Sequence, residues 1–151
     1  MNGPDYTKLC EGYTAVATMD SNGLYEYGYG HNGPDVKPGA VCSPELRDEL
    51  FAKDYPLAEA KAAADVGPEW NGLDAVRKAA LTDMAYELGG GGLAGFHRML
   101  MAVRVGNWPV AAAECLDSAG YGKSVSAGVR ARANRAALML STGAWRPGYG
   151  G

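Results

Sequence analysis

Three carboxylates near the N-terminus, Glu11, Asp20 and Glu26, stand where the local texture changes from helical to strand-like. Glu11 precedes Gly12, a glycine placed to end a short helix over 5–11 with Asp5 as its cap. Its carboxyl group therefore falls in the last helical turn, at the negative end of the macrodipole. An anion is disfavoured there, which raises the pKa as a proton donor near neutrality requires. Asp20 opens Asp20-Ser21-Asn22-Gly23, an Asn-Gly turn where fuller hydration keeps a carboxylate ionised. One protonated and one ionised carboxyl group on opposite sides of a bond is the equipment of acetal cleavage. Taken singly, neither residue carries the inference. Aspartate is common in turns, and a helix-end glutamate is commonly just hydrated.

Other chemistries find little support. The two histidines, His31 and His97, form no HExxH, and Cys10, Cys42 and Cys115 form no CxxC, so neither a metal site nor a cofactor is expected. Three widely spaced cysteines read as free thiols. Gly122-Lys123-Ser124 ends like a phosphate-binding loop, but Asp117 stands where its first glycine belongs. There is no GxSxG elbow. A net charge of −3 argues against a nucleic-acid partner, although Arg130, Arg132 and Arg135 cluster near the C-terminus. No apolar run is long enough to span a membrane, and the N-terminus lacks the basic and apolar segments of a signal peptide. The expectation is a monomer made in the cytoplasm.

The elements that must position these groups are legible from periodicity. The run from Tyr13 to His31 reads as a β-hairpin about the Asn-Gly turn. Its second half alternates, with Tyr25, Tyr27 and Tyr29 on one face and Leu24, Glu26, Gly28 and Gly30 on the other. A tight two-residue turn would pair Asp20 with Tyr25 and turn it from Glu26; a wider turn would let the two carboxylates approach. Ser43-Pro44-Glu45 starts a helix running towards Ala64, with Pro56 placed to kink or break it. Leu73, Val76, Ala80, Met84 and Leu88 mark the apolar face of a further helix ended by the glycines from Gly89 to Gly92. Helices follow at about 95–104, 108–117 and 126–140, and 146–151 reads as a loose tail. The 151 residues thus describe one α+β domain. A hairpin lobe spans about 12–55, and a helical lobe takes in about 1–11 and 56–145.

Ordered along the chain are three blocks. The first is Glu11-Gly12, Asp20 after eight intervening residues, then Gly28-Tyr29-Gly30-His31. The second runs from Leu73 to Leu81 and on through Met84, Tyr86, Gly89 and Leu93-Ala94-Gly95-Phe96. The third is Arg132-Ala133-Asn134-Arg135 with Thr142-Gly143-Ala144-Trp145. This pattern resembles glycoside hydrolase family 24, the T-even phage lysozymes. The resemblance implies a lysozyme-like fold and cleavage of the β-1,4 bond between N-acetylmuramic acid and N-acetylglucosamine in bacterial peptidoglycan. It implies Glu11 as the acid and Asp20 as the group that orients or deprotonates water. Asn32, Tyr86, Glu87 and Arg132 would line the cleft, as would Met99 and Glu114. Arg132 has two other readings, as a surface charge or as the partner that positions Glu11, with Arg130 as the reserve candidate. His31 reads as structural, holding the hairpin through a carboxylate such as Asp54. An enzyme of this kind without a leader would need a holin or another release route to reach the wall.

Two departures from the family stand out. Glu26 occupies the position of the family's threonine, which makes it either an additional base or a nucleophile in a retaining or transglycosylating reaction. The stretch between His31 and Ser43 is shorter than the family's usual one. A non-catalytic wall-binding module on the same fold is the competing expectation, with a scaffolding or toxin domain as a third.

Overall fold

The computed structural model describes residues 1–20, 22–89 and 91–145. Helix α1 spans Gly3–Glu11 and is capped by Asn2, whose side-chain oxygen accepts the Asp5 N–H at 2.8 Å. The helix thus starts before Asp5, which sits in its first turn and is not the cap. Asn2 wins because its extended backbone leaves the side chain free to reach forward to the unpaired N–H groups. Gly12, at φ 69°, ends the helix as expected and donates to Lys8 O at 3.0 Å.

Strands β1 (Thr14–Met19), β2 (Tyr25–Gly28) and β3 (His31–Asn32) form one antiparallel sheet in that order. The expected two-stranded hairpin is therefore a three-stranded sheet. Gly28 and Gly30 both take positive φ, 66° and 74°, so the alternating run reverses at Tyr29-Gly30 and His31–Asn32 return alongside β2. At the other turn, Met19 pairs with Tyr25 and Thr18 with Glu26, and Asp20 N–H donates to Leu24 O at 2.7 Å. The wider turn is the one adopted. Segment 40–42 covers the outer edge of β1: Ala17 N–H donates to Ala40 O, and Cys42 N–H to Ala15 O.

Helix α2 runs from Pro44 to Val66 without a break, capped by Ser43. Pro56 neither ends nor divides it. Both Pro56 and Ala52, whose carbonyl loses its donor, lie on the exposed side where water can replace the bond. The opposite face buries Phe51, Tyr55, Ala62 and Val66, and that burial offsets a penalty of about 3 kcal/mol. A 3-10 turn over Pro68–Gly72 leads to α3 (Ala75–Leu88), capped by Asp74. Helices α4 (His97–Arg104), α5 (Trp108–Asp117) and α6 (Ala127–Thr142) complete the chain.

The main core gathers Tyr6, Leu81, Met84, Leu93, Met99, Met139 and Leu140, so α1 packs with the helices that follow the sheet. A smaller core of Ala17, Tyr27, Val36 and Cys42 lies beneath the sheet. Helix α3 is buried on nearly every side from Ala79 to Ala85, which explains why its apolar stripe looked narrow. α1 and α6 flank it, and that arrangement sets Glu11 opposite Arg132.

Candidate active site

The Gly28-Tyr29-Gly30-His31 turn forms one wall of the site, and each of its residues has a specific neighbour. Gly28 takes φ 66°, and a Cβ there would sit in ordinary contact with Cys42 Sγ at 3.4 Å and Arg47 Cα at 3.6 Å. The Tyr29 carbonyl accepts the Tyr86 hydroxyl at 2.5 Å, which ties the turn to α3. A Cβ on Gly30 would stand 2.7 Å from Glu11 Oε2, so only glycine lets the carboxyl group lie against the turn. His31 Nδ1 meets Asp54 Oδ2 at 2.6 Å, and its Nε2 meets Asp35 Oδ2 at 3.0 Å. The structural reading of His31 is the one the geometry supports.

Burial pulls the His31 pKa down, but the hydrogen bonds to Asp54 and Asp35 outweigh it and leave the value raised. A raised histidine contributes stability that is complete below its ordinary value near 6.5 and fades as pH climbs through the folded one. His31→Asn is therefore expected to cost about 1–2 kcal/mol at pH 5.5 and clearly less at pH 8.5. Urea unfolding at the two pH values measures the difference, and equal losses would remove the ion pair as the source.

Glu11 lies at the C-terminal end of α1 with a side chain only 12% exposed. Its Oε1 accepts Arg132 Nη2 at 2.8 Å. Burial pushes its pKa up to about 7 against the pull of the guanidinium, while Glu87 and Asp83 push the same way as burial. The cause is therefore mainly desolvation, where the sequence suggested the helix end. Arg132, on α6, is buried and serves three carboxylates at once. Nε and Nη2 take Asp83 side-on at 2.8 Å each, Nη1 takes Glu87 at 2.7 Å, and Nη2 also reaches Glu11.

Asp20 spends one oxygen on its own turn: Oδ1 accepts from Asn22 N–H at 2.8 Å and Leu24 N–H at 2.9 Å. Oδ2 stays outside that arrangement. Glu26, half-buried on β2, faces Thr18 on one side and Asn32 on the other. Its pKa is raised by burial and then by Asp20 and Glu87, with Arg132 opposing. Asp20 and Glu26 are thus close enough to repel, as the wider turn allows. Asn32 and Tyr86 line a cleft of about 250 Å³ with Gly30, His31, Asp54 and Lys61. Glu87 contacts Arg132 and is partly exposed. These residues form one neighbourhood.

Met99 and Glu114 belong elsewhere. Met99 is 1% exposed in the main core, and both residues line a separate cavity of about 610 Å³ beyond the end of α3, with Leu88, Phe96 and Asp117. Leu88 walls that cavity and its chain neighbour Gly89 walls the smaller cleft, so the end of α3 divides them. One residue escaped the sequence reading altogether: Asp83, 0% exposed, hydrogen-bonded to Arg132 and to Thr7 Oγ1 at 2.9 Å. The signal available was a charge in the middle of an apolar helical run, one turn before Glu87.

A sheet of three short strands followed by a helical body, with a buried acid at the end of the opening helix, defines an α+β, lysozyme-like protein. The chain belongs to the phage lysozyme family, the T4-type glycoside hydrolases: the Phage lysozyme model matches residues 8–136. It is 32% identical over 108 residues to the pre-baseplate central spike protein Gp5 of Enterobacteria phage T4. That match takes in 70% of this chain but 18% of the spike protein's length. It is also 25% identical to the probable T4-type lysozyme 2 of Dictyostelium discoideum, over 92% of this chain and 93% of that protein. Among the described residues, no helix is long and apolar enough to cross a membrane.

Proposed function

We propose that this chain is a peptidoglycan muramidase that hydrolyses the β-1,4 bond between N-acetylmuramic acid and N-acetylglucosamine. The observation that carries this reading is Glu11, a buried carboxyl group that keeps its proton to about pH 7 while its Oε2 lies against Gly30, one of the residues that line the cleft. Oε1 already accepts from Arg132, so the acidic proton sits on Oε2, the oxygen beside Gly30. From there it passes to the glycosidic oxygen as the bond to the anomeric carbon breaks. Asp20 Oδ2 directs a water to the other face of the sugar. Asn32, Tyr86 and Glu87 hold the saccharide, whereas Met99 and Glu114, across the end of α3, take no part in this scheme.

A second reading rests on the proximity of Glu26 to Asp20. If Glu26 itself attacks the anomeric carbon, its carboxylate forms a glycosyl ester as the leaving alcohol takes the Glu11 proton. Water then cleaves the ester with net retention. One experiment tests both readings. Purified peptidoglycan is digested, the new reducing ends are identified after borohydride reduction, and the first-formed anomer is followed by proton NMR. Muramitol as the new end with α-anomer first is the expected result. β-Anomer first would transfer the role to Glu26, and no new reducing ends would leave a wall-binding module.

A further inference from the structure

The Glu11–Arg132 contact poses a problem for an acid. A carboxyl group hydrogen-bonded to a buried guanidinium ordinarily gives up its proton easily, because the paired cation favours the anion. The surroundings of Arg132 remove the difficulty. Asp83 holds that guanidinium side-on through Nε and Nη2, while Thr7 Oγ1 donates to Asp83 Oδ1. Among the described residues, each hydrogen-bond partner of the Asp83 carboxylate is a donor, as suits an acceptor-only group. Glu11 receives the shared Nη2 alone, and Glu87 draws on Nη1.

We infer that Asp83 is a positioning residue of the reaction: a buried anion that fixes Arg132 and takes up most of its charge, so that Glu11 is oriented without being ionised. The inference rests on Glu11 as the acid and adds a residue that touches neither sugar nor water. Burial is the main reason Glu11 keeps its proton, and the charges around the pair decide how far Arg132 can oppose it. Helix α3 brings Asp83, Tyr86 and Glu87; α6 brings Arg132 and Arg135; β2 brings Glu26; α1 itself carries Tyr6 and Cys10, and Tyr121 approaches Asp83 from the segment before α6. Burial raises the three phenols and the thiol, so all four stay neutral near pH 7. Arg135 turns towards Cys10 Sγ at 3.8 Å. One guanidinium thus faces three carboxylates that it touches directly, and it cannot neutralise them all. Asp83 has two bonds from the cation and no exposure to water, so the guanidinium is committed to it first, and burial keeps the proton on Glu11.

The direction of the effect follows from geometry. Glu11 Oε1 and Asp83 Oδ1 are each 2.8 Å from the same nitrogen, so they can lie no further apart than twice that distance. Asp83→Asn removes a negative charge at this range and frees Arg132 to act on Glu11. Both changes favour the Glu11 anion, and together they should lower its titration midpoint by about one to two pH units. Asparagine keeps the shape and can still accept from Arg132.

The test follows the Glu11 carboxyl carbon by NMR, in protein without substrate, and the pH profile of kcat/KM on peptidoglycan. In Asp83→Asn the Glu11 midpoint and the alkaline limb of activity should fall together, with kcat/KM at pH 5 much less affected than at pH 7. An unmoved Glu11 midpoint overturns the inference, as does a uniform loss of activity at every pH. A midpoint that falls while the alkaline limb stays in place sustains the role of Asp83 and removes Glu11 as the acid, so the two readings fail separately. If Asp83→Asn does not fold, Thr7→Val carries the same measurement, because it withdraws the hydrogen bond that Asp83 Oδ1 accepts and leaves every charge in place. The Glu11 midpoint and the alkaline limb should then shift together by a smaller amount, and an unchanged midpoint again overturns the inference.

Discussion

Arg132→Met should destabilise the protein by about 3–5 kcal/mol at pH 7, enough to threaten the fold of a domain this size. Methionine fills most of the arginine's volume, so the loss is electrostatic and does not come from a cavity. Asp83 is fully buried, and without the guanidinium its remaining described hydrogen bond is from Thr7. An ionised carboxylate in that position has lost its solvation and its counterion together. Glu11 and Glu87 lose a partner too, but Glu11 can take up a proton and Glu87 can turn to water. The deficit comes from an uncompensated buried charge, so it should narrow as pH falls. Arg132→Lys keeps the charge but cannot serve Asp83 side-on while reaching the other two, and should cost an intermediate amount. Guanidinium unfolding at pH 7 and pH 4 checks the claim. A loss below about 1 kcal/mol at both would mean that the buried ion cluster holds little of the fold together.

The same cluster shows how far the sequence could be read. The start of α2 was legible because its capping residue announced it: Ser43 accepts the N–H three residues on. The end of α1 at Gly12 was legible for a similar reason. Pro56 misled because proline's cost depends on which side of the helix it occupies, and that side is fixed only by what Phe51 and Tyr55 pack against. The third strand was hidden by alternation that continues through Tyr29 and Gly30. The pattern of side chains persists there, while two positive φ values turn the backbone round.

In the candidate site, Glu11, Asp20 and Arg132 stand out in the sequence because they match the pattern of a known family, and Glu26 because it stands where that family has threonine. Met99 and Glu114 came from position alone, and position does not say which side of the last turn of α3 a residue will face. Asp83 could not be assigned a partner from the sequence. Its contact with Arg132 joins residues far apart in the chain, and only the packing of α3 against α6 brings them together. A lone charge in an apolar run says that a partner exists without naming it.

Glu11→Gln should separate activity from stability, lowering the first and raising the second. Glutamine keeps the length and accepts from Arg132, but it has no proton to give the leaving oxygen. Loss of a general acid is worth about 10²- to 10⁴-fold in rate, and cleavage of an unactivated glycoside belongs at the upper end. Stability moves the other way. Burial raises the Glu11 pKa from 4.5 to about 7, so the folded protein binds that proton more tightly than the unfolded chain. Below about pH 4.5 the group is protonated in both states and costs nothing through this term. As pH rises towards 7 the unfolded chain ionises while the folded one resists, and folding is penalised. Above pH 7 the penalty is complete, on the order of 2–3 kcal/mol. Glutamine carries no such penalty at any pH. Wild type and variant should therefore unfold at similar denaturant concentrations at pH 4, and the variant should lead at pH 8. A wild type as stable as the variant at pH 8 would mean that Arg132 compensates the buried carboxylate in full. Glu11 would then be an ordinary ion-pair partner, already ionised where the reaction needs its proton.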